Sequence, residues 1–204
     1  MSVQSKISQL LISSTARLIF GWRVIGKDNI PAGGALIACN HLALLDPAWI
    51  GAAIKRDMHF LAKVELFRNF LFGALIKSVN AFPVRRGEAD RQSWKMAKSL
   101  LKAGKLLLFF PEGTRSKDGC LQPGKPGMAR LAFATGVPVV PAAISGSNRL
   151  RDVFFRRAKL RVGFAKPVSL SDFESGGDDD TRYDRLTQAV MAEIGRLKVE
   201  VDAI

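Results

Sequence analysis

Seven short apolar runs punctuate this chain, and their alternation with helical patterns is what most narrows its fold. The runs are 22-WRVIG-26, 35-ALIAC-39, 58-MHFLA-62, 80-NAFPV-84, 106-LLLFF-110, 137-VPVVPAAI-144 and 159-KLRVGF-164. Each has the length of a strand and is bounded by Gly, Pro, Asn or charge. Helical patterns lie between them at 47–56, 65–79, 89–104 and 126–135, and a last helix is expected at about 181–200. The acidic stretch 172–180 reads as a solvated loop before it. Such alternation predicts a single layered α/β domain, with a mixed, largely parallel sheet flanked by helices. A chain of 204 residues suits one such domain, here 22–204.

Residues 1–21 read separately. Val3, Ile7, Leu10, Leu11 and Leu18 fall on helical spacing, with Ser, Gln, Lys6 and Arg17 filling much of the rest. That is an amphipathic helix, either packed on its own domain or lying in a lipid interface. The segment 65-ELFRNFLFGALIKSV-79, with Lys63, Arg68 and Lys77 in or beside it, is a second such candidate and favours the interfacial reading. No run reaches the ~18–20 uninterrupted apolar residues of a membrane span. The amino terminus lacks a signal-peptide cleavage pattern. The expected place is the cytoplasm, with a membrane touched but not crossed.

The charge points to an anionic partner. Net charge is +13, and it is uneven: residues 1–171 carry 27 Lys/Arg against 9 Asp/Glu, residues 172–204 carry 4 against 9. Nucleic acid, a phospholipid surface and a phosphorylated metabolite all fit such a body. Against nucleic acid, the chain has one Tyr and no aromatic–basic motif of the RNA-recognition type. Cys39 and Cys120 lack C-x-x-C spacing, and two histidines, His41 and His59, cannot build a histidine-rich metal site. No metal is expected.

In open α/β sheets, sites gather where strands end. His41 follows the run ALIAC, and 46-DP-47 looks like a helix start with Asp46 as N-cap and Pro47 at the first helical position. The four residues between let the chain fold back, so that Asp46 can reach one ring nitrogen of His41. The other nitrogen is then free to take a proton from a hydroxyl. The competing reading is a buried structural histidine with Asp46 merely capping. Cys39 ends an apolar strand and reads as packing rather than as a nucleophile. His59, in MHFLA, reads as structural.

The run 106-LLLFF-110 opens into 111-PEGTRS-116. Gly113 allows close backbone approach, Arg115 can grip a phosphate bidentately, Thr114 adds a hydroxyl, and Glu112 can accept from a substrate hydroxyl. NAFPV opens into Arg85-Arg86-Gly87, and Lys125 precedes a helix whose amino end favours an anion.

Four blocks, NHLALLD, FPVRRG, FPEGTRS and VPVVPAAI, occur in this order across the chain. They resemble the four motifs of the glycerolipid acyltransferases, and most closely the 1-acylglycerol-3-phosphate (lysophosphatidate) acyltransferases. AKVELF at 62–67 and KPGMARLA at 125–132 are similar to that family too. The resemblance implies that His41 is the catalytic base and Asp46 its orienting carboxylate. It implies that Arg86 and Arg115 bind the acceptor phosphate, with Glu112, Gly113 and Thr114 at the same acceptor site; Lys125, read above from its place before a helix, is expected to bind substrate beside them. Pro141 matches the fourth motif, linked to the acyl donor. The implied reaction moves a fatty acyl group from acyl-CoA or acyl-ACP to the sn-2 hydroxyl of a lysophospholipid acceptor. It needs no acyl-enzyme, metal or further cofactor. The family also implies a helical membrane anchor and work at the cytoplasmic face of an anionic membrane. One departure is Ala43, where the first motif often carries Ser or Thr. Acceptors such as glycerol-3-phosphate or lyso-ornithine lipid stay open on that account, as does a non-catalytic membrane-binding module.

Overall fold

The structure is a computed structural model that describes residues 20–54, 56–78, 80–84, 91–175 and 178–204, together with Leu10 and Ser14. All seven apolar runs are strands of one sheet: β1 (Arg23–Ile25), β2 (Ala35–Cys39), β3 (Met58–Lys63), β4 (Ala81–Val84), β5 (Leu106–Phe109), β6 (Val139–Ser145) and β7 (Arg161–Phe164). Their spatial order is β1-β7-β6-β2-β5-β3-β4. β6, β2, β5, β3 and β4 run parallel, whereas β7 pairs antiparallel with β6 and parallel with β1. The sheet is therefore mixed and mostly parallel, as expected.

The helices are α1 (Asp46–Ala53), α2 (Phe70–Ser78), α3 (Arg91–Lys102), α4 (Gly127–Thr135), α5 (Leu150–Phe154) and α6 (Asp179–Ala203). Alternation along β2 sorts them into two layers. Ala35, Ile37 and Cys39 face a cluster holding Trp49 and Ile50 of α1 and Ile76 of α2. Leu36 and Ala38 face the opposite cluster, with Leu101 of α3, Met128 and Leu131 of α4, and Val190 and Ile194 of α6. A central strand buried on both faces reads as an unbroken apolar run, which is why ALIAC and LLLF stand out in sequence. Each such Leu or Ile contributes about 1.5–3 kcal/mol by leaving water.

Several boundaries moved. The 65–79 pattern is broken into a 3-10 turn, Val64–Phe67, and α2, because Leu66 and Phe67 turn back onto the core. The last helix is longer at both ends than expected, and the Asp178 side chain caps it by accepting from Thr181 N at 2.9 Å. α5 was not anticipated, since five residues show no helical period. The expected helix over 1–21 lies outside the described residues, apart from Leu10, Ser14 and the residues from Phe20 on.

This topology fixes where a site can form. β2 connects through α1, past β5, to β3. β5 connects through α4, past β2, to β6 on the other face. The two connections leave in opposite directions, so a crevice opens between the carboxyl ends of β2 and β5. Because β7 is reversed, β1 starts at that same edge: Arg23 pairs with Arg161, and Arg161 pairs with Ser145 at the end of β6.

Candidate active site

Asn40 comes first after β2, and it stays in the sheet. Its side-chain amide donates to Ile144 O at 3.0 Å and accepts from Ile144 N at 2.8 Å. Its fully buried amide thus imitates one more backbone rung between β2 and β6. The next residue, His41, is forced to leave the sheet at its edge.

Four contacts then hold His41. Its backbone N–H donates to Glu112 Oε1 at 2.8 Å, and its carbonyl accepts from Ser116 N at 2.8 Å. Its ring stacks on Phe110, with centroids 3.9 Å apart and planes 13° from parallel. Its Nδ1 lies 2.8 Å from Asp46 Oδ2, the geometry of an Nδ1–H tautomer donating to a carboxylate. No described residue bonds Nε2, and about 10% of the side chain remains exposed. One nitrogen is anchored and the other is presented.

Asp46 is not an N-cap. It is the first helical residue of α1, Leu45 occupies the cap position without a side-chain bond, and Pro47 follows in the first turn. The carboxylate instead turns back into the loop. Oδ2 accepts from Leu42 N at 2.6 Å and from Ala43 N at 2.8 Å besides the histidine. Three donors on the amino side outcompete the helix's own orphan N–H groups. Oδ1 is buried with no donor among the described residues.

The turn after β5 is built on a buried acid with an exposed rim. Glu112 is 2% exposed, and its second oxygen accepts from Gln122 N at 2.9 Å. Both oxygens accept from backbone N–H groups, so Glu112 links the two turns. Gly113 has φ 70°, the left-handed region that favours glycine. Lys125 is drawn to it: Lys125 N donates to Pro111 O at 2.9 Å, and a Cβ added at Gly113 would come within 3.4 Å of Lys125 Nζ. Thr114, Arg115 and Lys125 are all exposed, and neither cation has a partner among the described residues. His41, Asp46 and the 112–115 turn with Lys125 are thus gathered at one edge. β4 ends at that edge too, at Val84, but Arg85 and Arg86 lie outside the described residues.

Cys39 is fully buried; burial pushes its thiol well above the usual range, and the Asp46 and Glu112 carboxylates push the same way. A thiol held protonated is no nucleophile. His59 sits in β3, away from the edge; burial lowers its pKa, and Lys105 adds to this while Asp57 opposes it. Sequence reasoning missed Asn40 and the Phe110 stack. An amide directly after a fully apolar strand was the one local hint.

The profile of the acyltransferase family matches residues 21–145, which hold every residue of this site. The chain belongs to that family. It is 32% identical over 186 residues to the 1-acyl-sn-glycerol-3-phosphate acyltransferase of Bacillus subtilis (strain 168), covering 90% of this chain and 92% of that one. It is also 32% identical over 146 residues to the enzyme of the same name from Cocos nucifera, spanning 69% of this chain but only 47% of the plant protein. Among solved structures it superposes on the Thermotoga maritima 1-acyl-sn-glycerophosphate (LPA) acyltransferase PlsC with a TM-score of 0.73 at 25% identity, over 98% of this chain and 82% of that one.

Proposed function

We propose that this acyltransferase moves a fatty acyl group from an acyl thioester to the sn-2 hydroxyl of lysophosphatidic acid, yielding phosphatidic acid. The names of its relatives support the acceptor. The observation that carries the chemistry is the His41–Asp46 pair at 2.8 Å, with Nε2 unengaged beside a cationic turn.

His41 Nε2 takes the hydroxyl proton as the oxygen attacks the thioester carbonyl. Asp46, buried and already holding the Nδ1 proton, stabilises the imidazolium that forms. The tetrahedral intermediate collapses, the C–S bond breaks, and the leaving thiolate takes the proton back from Nε2. Proton and electron pairs balance with one histidine, so no acyl-enzyme, metal or resident cofactor enters the scheme. Acyl-CoA or acyl-ACP is the co-substrate. Arg115 and Lys125 hold the acceptor phosphate, joined by Thr114 and, on the strength of the family motif, by Arg86. The role first read for Glu112 changes: it positions the His41 backbone.

The acceptor is a lipid, so the enzyme works on a membrane. Among the described residues no helix is long and apolar enough to cross one. Peripheral attachment at the cytoplasmic face fits the net charge of +13.

The test is acyl transfer from acyl-CoA and from acyl-ACP onto lysophosphatidate, beside glycerol-3-phosphate and lyso-ornithine lipid, with His41→Ala as control. Histidine-dependent product on lysophosphatidate is expected. Product only on another acceptor would change the substrate and keep the base; product that survives His41→Ala would remove the base.

A further inference from the structure

The excursion from β6 to β7, residues 146–160, has no part in the scheme above. It leaves the sheet at the edge that carries His41 and returns to it. Its neck is tight. Gly146 has φ 79°, and a Cβ there would meet Lys159 O at 2.1 Å, so the two arms touch backbone to backbone. Above the neck stands α5, followed by a turn in which Arg157 N and Ala158 N both donate to Asp152 O, at 2.8 and 3.2 Å.

What this small structure presents is unusual. Phe154 and Phe155 are 56% and 57% exposed and touch each other edge to face, with centroids 5.3 Å apart. Around them residues 149–159 carry five Lys/Arg and one Asp. Asp152 is spent on Arg149 at 3.0 Å. Arg151 and Arg156 are exposed, with no side-chain partner among the described residues. Arg156 also sits at φ 59°, where glycine is the usual choice. A cation is kept where the backbone favours no side chain at all.

We propose that the Phe154–Phe155 pair and its arginine collar dock this excursion into an anionic lipid surface, as an attachment separate from residues 1–21. The ring pair would sink to the headgroup level while the arginine stems lie along it and their guanidiniums reach phosphates. Placement favours a bilayer over an acidic protein. Other large exposed apolar side chains stand on the same edge: Leu44 and Leu45 after β2, and Phe70 after β3. With Phe154 and Phe155 after β6, these tips follow strands spread over about 14 Å of sheet, at ~4.8 Å per strand. Apolar tips spread along one edge of the sheet suit an extended lipid surface. The excursion also borders the site. A cleft of about 490 Å3 is lined by Leu42 and Asp118 on the site side and by Arg149 and Arg157 from the excursion. The inference rests on the reading that the acceptor is a lipid, but its test measures binding and needs no turnover.

The full chain is mixed with vesicles of phosphatidylcholine containing phosphatidylglycerol, with no lysophosphatidate present. The Phe154→Ser/Phe155→Ser variant should need about tenfold more lipid for half-maximal sedimentation, since interfacial binding scales with buried apolar area. It should retain the thermal midpoint of the parent and its rate on detergent-dispersed acceptor. In a second arm, Phe155→Cys in a Cys120→Ser background carries an environment-sensitive fluorophore; Cys39 is buried and does not compete. Its emission should rise with anionic vesicles and fall back with salt. Unchanged sedimentation, or a silent probe, would overturn the proposal. A probe that responds to purified acyl carrier protein and not to vesicles would overturn it in favour of a protein-docking surface.

Discussion

The turn after β2 and the turn after β5 leave the sheet side by side, yet they are built oppositely. Around His41 the polar groups are tied: backbone N–H, carbonyl and Nδ1 each have a partner within 2.8 Å, and only Nε2 is left. Around Arg115 the backbone of the turn is tied, through Glu112 and Ser116 among others, while the cationic tips stand in solvent. The difference follows from what each turn must do. A base has to meet a proton in one geometry, so freedom there costs rate. A phosphate is a large anion with several oxygens, and long cationic side chains can close on it from many starting positions.

Substitutions can break this contrast in order of size. His41→Ala should lower kcat by at least the ~10²–10⁴-fold typical of a positioned base, with the thermal midpoint nearly unchanged. A small loss in kcat would mean that the tied turn is structural only. Asp46→Asn comes next. It exchanges a buried anion facing three donors for a neutral amide. An about hundredfold fall in kcat is expected, with a loss of ~2–4 kcal/mol in stability measured by denaturant unfolding. Glu112→Ala tests whether the turns are coupled. It leaves the buried His41 N and the half-buried Gln122 N without their acceptor, so it should cost ~2–4 kcal/mol and lower the midpoint by about 5–15 °C, at roughly 2–4 °C per kcal/mol. Activity should fall through kcat. A change confined to acceptor KM would return Glu112 to the substrate side.

Arg115→Ala and Lys125→Ala belong to the loose turn and should act the other way. Acceptor KM should rise by roughly tenfold each, with kcat and stability little changed, and the effect should shrink at high salt. If kcat collapses instead, the exposed rim is as pre-set as the histidine. The smallest effect is expected at His59. Burial lowers its pKa below 6.5, so the unfolded chain binds the proton more tightly than the folded one. Stability should therefore rise with pH through the window just below 6.5, and His59→Asn should flatten that slope in denaturant titrations.

How much of this was legible in sequence depends on the distance between partners. Strands such as ALIAC and LLLFF announce themselves, because a strand buried on both faces is apolar throughout. His41 and Asp46 are five residues apart, so their pairing can be reasoned from one loop. The bond from His41 N to Glu112 spans 71 residues, and the Asn40–Ile144 rung spans 104. No local pattern encodes those, since they depend on which strand ends lie side by side. The Asp46 cap failed for a related reason. Its sequence context fits a helix start, but the winning donors are the N–H groups of Leu42 and Ala43, which reach it only once the loop has curled.

The long reach of the Asn40 and Glu112 bonds has a consequence for the birth of the enzyme. The base cannot be aligned by residues 39–46 alone; it waits for the turn after β5 to supply Glu112 and Phe110, and for β6 to supply Ile144. Parallel strands joined across such separations assemble late, after much loop-closure entropy has been spent. A chain emerging from the ribosome therefore carries an unaligned histidine until the sixth strand is out, and activity should appear together with the finished sheet rather than before it.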